Sequence, residues 1–114
     1  FHDEIDLAPG RFRMKAGGGA AGNNGVRSIT AAIGDTFRRG RIGVGHPGHK
    51  DAVMSYVLGD FHKVDHQWLD PMLDALADAL PFAAAGDDER FQGEVLRLAP
   101  APKSDPKKRP GDPL

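Results

Sequence analysis

The chain has 114 residues, no cysteine and a formal net charge of −1, with 39% hydrophobic and 27% charged residues. That length holds one small domain at most. The lack of cysteine excludes disulfides and thiolate metal centres, and no apolar run is long enough to cross a bilayer as a helix.

Near-neutrality conceals a segregation. Arg11 to Lys50 carry eight basic residues against Asp35 alone, whereas Asp60 to Glu94 carry nine acids against Lys63 and Arg90. The basic half suits a polyanion; the acidic half reads as a solvated surface. The chain opens on Phe1 without a signal-peptide pattern, as expected of a processed product or a fragment.

Phe1 to Leu7 reads as the end of a strand, because Ile5 and Leu7 alternate with Glu4 and Asp6. Pro9-Gly10 signals a turn. From Arg11 to Ala16 the alternation puts Arg11, Arg13 and Lys15 on one face and Phe12, Met14 and Ala16 on the other. A hairpin through Pro9-Gly10 is the expected pairing of these two strands. Gly17 to Gly25 forms a glycine-rich loop, after which Val26, Ile29 and Ile33 follow a helical stripe that Gly34 ends. Asn23 and Asn24 are the candidate caps of that helix. Arg41 to Val44 reads as a further strand, and Val53, Tyr56 and Val57 as a short helix.

A longer helix is expected from about Asp65 to Leu80. Leu69, Met72, Leu73, Leu76 and Leu80 form its apolar side and Asp70, Asp74 and Asp78 its wet side. Pro71 predicts a late start or a kink. Phe91 to Ala99 add a helical turn or two, and residues 100–114, rich in Pro, Lys and Asp, are expected to be a disordered tail following a domain of residues 1–99.

A glycine loop feeding a helix start lets backbone N–H groups approach a phosphate or carboxylate; a flexible loop before a capped helix explains the same composition. Gly43-Val44-Gly45-His46-Pro47-Gly48 fits the dinucleotide fingerprint literally. However, Pro47 removes a donor from the would-be cradle, and no second parallel strand is expected after the helix, so a nicotinamide-dependent oxidoreductase is a poor reading. His46/His49 and His62/His66 have spacings that could ligate zinc, but neither pair has a partner in a recognisable zinc pattern. His2 is expected to be structural.

Four motifs stand in order: His2-Asp3-Glu4-Ile5-Asp6-Leu7, Pro9-Gly10, the glycine loop ending Asn24-Gly25, and Arg41-Ile42-Gly43-Val44-Gly45-His46-Pro47-Gly48, followed by Tyr56-Val57-Leu58-Gly59. Together they resemble the bacterial peptidyl-tRNA hydrolase family over nearly everything except the tail. The resemblance implies an incomplete α/β domain, a mixed twisted sheet flanked by helices. It also implies hydrolysis of the ester between peptide and tRNA, with peptidyl-tRNA as partner, no cofactor, metal or membrane, a cytoplasmic setting and a monomer at full length.

By the same resemblance, Asp3 orients a general-base histidine, Asn24 contacts the tRNA end, and Lys15 and Arg41 grip tRNA phosphate. The family's histidine and two substrate-binding asparagines precede the segment that Phe1 opens, so the chain is expected to be a C-terminal part, inactive alone. Asn23 stands where the family has a histidine; it can bind substrate by hydrogen bonds but cannot titrate near neutrality. Gly40 replaces a usual bulky apolar residue, weakening the entry to its strand. A non-catalytic RNA-binding module is the alternative.

Overall fold

A computed structural model describes residues 1–107; residues 108–114, the far part of the expected tail, lie outside the described residues. Three strands form one mixed sheet: β1 (His2–Glu4), β2 (Phe12–Ala16) and β3 (Arg38–Gly43), in the order β1-β3-β2. β1 runs parallel to β3, with His2 opposite Arg41 and Glu4 opposite Gly43. β2 runs antiparallel to β3, with Phe12 opposite Ile42 and Ala16 opposite Arg38.

The expected hairpin is therefore not the pairing that forms: β3 lies between β1 and β2. The Pro9-Gly10 turn hands the chain to β3 instead. Gly10, at φ +80°, donates its N–H to the Gly43 carbonyl, and the Gly43 N–H donates to the Arg11 carbonyl at 2.7 Å. A side chain at Gly43 would run into the Ala8 carbonyl.

β3 begins at Arg38, three residues before the expected start, so Gly40 sits inside the strand rather than at its entry. The missing side chain makes room for the Phe1 ring, which a β-carbon at Gly40 would strike. Phe1 stacks near Phe12 and Phe91, with ring centroids 6.3 and 6.0 Å away, and Phe12 meets Phe91 edge-on at 5.5 Å. Phe12, Phe91, Met72 and Val95 are fully buried and centre the core.

Four helices accompany the sheet: α1 (Asn24–Ile33), α2 (Val53–Leu58), α3 (His66–Ala84) and α4 (Asp88–Leu98). Gly34 ends α1 at φ +82°, a conformation that suits glycine. The long helix continues past Leu80 through Pro81; a proline forfeits one backbone bond, and packing against α4 carries the helix on. Its buried side is Trp68, Leu69, Met72, Ala75 and Ala79, whereas Leu73 and Leu80 are about half exposed, at 52% and 49%. Small residues four apart let α4 approach closely. α4 itself exceeds the expected one or two turns, because Asp87 caps it by accepting from the Arg90 N–H and because Phe91 and Val95 are buried. No helix among the described residues is long and apolar enough to cross a membrane.

Residues 100–107, the near part of the expected tail, lie against the domain. Pro102 covers Gly10, and Lys107 donates to the buried Asp65 carboxylate at 3.0 Å. Burial alone would raise the Asp65 pKa, but bonds from Trp68, Lys107 and the His62 N–H outweigh it and hold it below the ordinary carboxylate value. A depressed folded pKa contributes stability that is complete above the unfolded value of about 3.9 and is lost as pH falls through the folded one. Urea unfolding followed by circular dichroism at a series of pH values should accordingly show a stability that falls less steeply below about pH 4 in Asp65→Asn than in the parent.

Candidate active site

Asp3 lies in the middle of β1, paired with Ile42 of β3, and borders three clefts, two of which, of about 300 and 290 Å³, also take residues from α2. One is formed with Val44, Tyr56, Phe61, His62 and Asp65. The other is formed with Ile5, Gly22, Asn24, Val57 and Leu58. A group held by Asp3 could therefore face both.

Asn23 fixes the seam between strand and loop. Its Oδ1 accepts from the Val26 N–H at 3.0 Å, capping α1, while its Nδ2 donates to the Asp3 Oδ1 at 3.2 Å and to the Asp3 carbonyl at 3.3 Å. Both ends of this amide are thus occupied inside the protein, at the position where a histidine would instead offer a titrating ring. Asn24, one residue on, is the exposed first residue of α1 and lines the second cleft. The first turn of α1 carries no acidic residue of its own; the carboxylate that meets its cap is that of Asp3, from the strand.

Lys15 and Arg41 lie off these clefts, on the sheet. Register sets Arg41 between His2 and Arg13, and Lys15 opposite Arg39. Residues two apart on a strand share a face, so Arg13, Lys15 and Arg41 form a block of positive charge, with the buried Arg39 beneath it. Lys15 folds back over Gly18, with Nζ 2.8 Å from where a β-carbon there would sit. Arg41 is half-buried and its Nε has no hydrogen-bond partner among the described residues.

Arg39 does different work. Only 3% exposed, it donates to the Gly19 carbonyl at 2.7 Å and to the Asp35 carbonyl at 2.9 Å, and its guanidinium lies 4.3 Å from the Phe37 ring centroid. It ties the glycine loop to the sheet. Arg38 binds the Asp88 carboxylate and the Ala83 carbonyl, joining β3 to the α3–α4 turn. Two of the eight basic residues are therefore structural, and nothing in their spacing distinguished them.

The Gly43–Gly48 stretch spends its amides internally. Val44 donates to the Glu4 carbonyl, Gly45 to the Leu7 carbonyl, and Gly48 to the His46 ring. His49 caps the 3₁₀ turn Lys50–Ala52, and His66 pairs with Asp70 at 2.9 Å. Asp65, Tyr56 and His62 in the first cleft were missed as site residues, since only the chain's return from α2 to α3 brings them beside Asp3.

The two asparagines should separate in a stability measurement. Asn23→Ala removes a cap and should cost about 1 kcal/mol in urea unfolding, whereas Asn24→Ala should stay within about 0.5 kcal/mol of the parent.

The family model described as peptidyl-tRNA hydrolase matches residues 1–101. The chain is 83% identical over 108 residues to the peptidyl-tRNA hydrolase of Caulobacter vibrioides, covering 95% of this chain and 53% of the relative. It is 69% identical over 107 residues to that of Hyphomonas neptunium, covering 94% and 52%. Among solved structures, a peptidyl-tRNA hydrolase in complex with N-propanol superposes with a TM-score of 0.77 at 37% identity, covering 88% of this chain and 51% of that one. The enzyme from Acinetobacter baumannii gives 0.75 at 34%, covering 92% and 50%. The chain spans about half the length of the curated relatives it matches. On sequence and fold alike, it belongs to the peptidyl-tRNA hydrolase family.

Proposed function

We propose that this chain is the part of a peptidyl-tRNA hydrolase that orients the catalytic base and holds the tRNA, acting in the cytoplasm as a monomer without metal or cofactor. The observation that carries this reading is the Asp3 carboxylate, anchored by Asn23 at the border of two clefts and beside Asn24. In the family resemblance a histidine outside this chain is the general base. Asp3 accepts a hydrogen bond from that ring and favours the form that takes a proton from water. The water oxygen attacks the ester carbonyl, and the ribose oxygen leaves with a proton. Help of this kind contributes about 10²–10⁴ in rate. Asn24 holds the tRNA end by its amide, and Lys15 and Arg41 neutralise phosphates.

In a chain of the relatives' full length, Asp3→Asn should lower kcat while leaving KM nearly unchanged, because the orienting contact acts in the chemical step. Asn24→Ala should mainly raise KM. Unchanged kinetics in both variants would remove these roles. Binding of tRNA without turnover in the parent would favour the RNA-binding module instead, a reading that the basic block on the sheet accommodates equally.

The basic block makes a separate prediction. Replacing Lys15 or Arg41 by Ala should reduce the slope of log K against log salt for tRNA binding by roughly 0.7–0.9 each, if each neutralises one phosphate. Arg97→Ala is the control, because Arg97 lies on α4 in an ion pair with Glu94 at 2.7 Å. Equal slopes for all three variants would remove the basic block from the interface.

A further inference from the structure

We propose that residues 100–107 form a strap that positions the wall of the first Asp3 cleft, and that Lys107 and Asp65 are positioning residues for substrate binding there. The proposal rests on the functional reading above and extends it past residue 101, where the family match ends.

The wall in question runs from Tyr56 to Asp65 and supplies Tyr56, Gly59, Phe61, His62 and Asp65 to the cleft. Between α2 and the 3₁₀ turn Lys63–Asp65 it has no regular structure, and Gly59 to Lys63 are exposed. Such a segment keeps one path only if its ends are tied. One end is tied through Tyr56, whose hydroxyl donates to the Val44 carbonyl just beyond β3. The other is tied at Asp65, whose side chain is 3% exposed.

Asp65 accepts from every direction. Oδ1 takes the Trp68 indole N–H at 2.9 Å and Lys107 Nζ at 3.0 Å, and Oδ2 takes the His62 N–H at 3.1 Å. With three donors engaged, this carboxylate is committed to holding structure and is poorly placed to accept a substrate proton. Its own fold supplies two of those donors from within four residues; the third, and the only full charge, comes from the strap. Lys107 is itself 12% exposed, 3.4 Å from Asp105 and 5.6 Å from the Tyr56 ring centroid, so it bridges both tied ends of the wall. The strap is guided there by Pro102 on Gly10 and by Asp105 near Gly45. A buried carboxylate that loses its cation is left uncompensated, and the cheapest relief is movement toward water. At Asp65 that movement carries His62 and the cleft wall outward, and loss of the Lys107 contact by itself releases this end of the wall even where no charge is stranded.

The test uses a chain of the relatives' full length, with peptidyl-tRNA as substrate and the fluorescence of Trp68, the sole tryptophan of these 114 residues, as a local probe once any tryptophan of the added segment is replaced by phenylalanine. Lys107→Met should shift Trp68 emission and raise KM about fivefold with kcat retained, since the contact is to binding rather than to the chemical step. Lys107→Arg, which keeps the charge, should return both to near the parent. The double variant Asp65→Asn/Lys107→Met leaves no stranded charge, guards against loss of folding, and should show the same rise in KM because the tether is gone. An emission shift with unchanged KM in both variants means that the strap only stabilises the domain, and overturns the proposal; so does a fall in kcat at constant KM. Failure of the underlying functional reading shows elsewhere, as full turnover in Asp3→Asn whatever Lys107→Met does.

Discussion

β3 is hydrogen-bonded on both sides, and that constraint governs the rest of the domain. A central strand must accept a neighbour along each edge, so β1 and β2 take their places by what β3 offers them. The offer depends on two missing side chains. Gly43 lets the Leu7–Ala8 backbone cross the end of the strand, and Gly40 admits the Phe1 ring to the aromatic cluster with Phe12 and Phe91. Glycine inside a strand is ordinarily a weakness. Here its volume is reassigned to a large ring, and burial of aromatic surface offsets the entropy that glycine brings.

The position of Asp3 follows from the same pairing. Parallel register with β3 sets Asp3 opposite Ile42, and the loop before α1 must then arrive beside it for Asn23 to reach both its own helix and the strand. One neutral amide thereby links a catalytic candidate to a helix terminus. A histidine in that place would bring a charge that varies near neutrality; asparagine makes the link independent of pH across the physiological range. The candidate phosphate-gripping residues sit elsewhere on the sheet, so orientation of the chemistry and attraction of the polyanion are physically separate.

What could be read from the sequence was local. The alternation of β2, an asparagine cap at Asn23 or Asn24 and the Gly34 stop each depend on a few adjacent residues, and each appears in the structure, the cap at Asn23. The pairing of β1 with β3 depends on contacts nearly forty residues apart, which no local pattern encodes. Leu73 and Leu80 read as core because leucine on an apolar stripe usually is, yet α4 packs where Ala75 and Ala79 permit close approach, and that choice belongs to the partner helix. For residues 100–107 composition was silent on placement: Pro and Lys suggest a solvated chain, whereas the contacts of Pro102 with Gly10 and of Lys107 with Asp65 are long-range. Asp3 and Asn24 became candidates only through the family motifs, while Asp65, beside Asp3 in the first cleft, carried no sequence signal at all.

Arg39 grips two carbonyl oxygens, not side chains. A clamp of that kind is blind to the identity of the residues it holds, provided the backbone path survives. At Gly19 a β-carbon would meet open space, and the backbone there needs no left-handed conformation. The loop before α1 can therefore change composition at such positions during evolution while remaining tethered, whereas the arginine cannot become lysine without surrendering one of its two forked bonds. Variation is permitted in the held segment and forbidden in the residue that holds it.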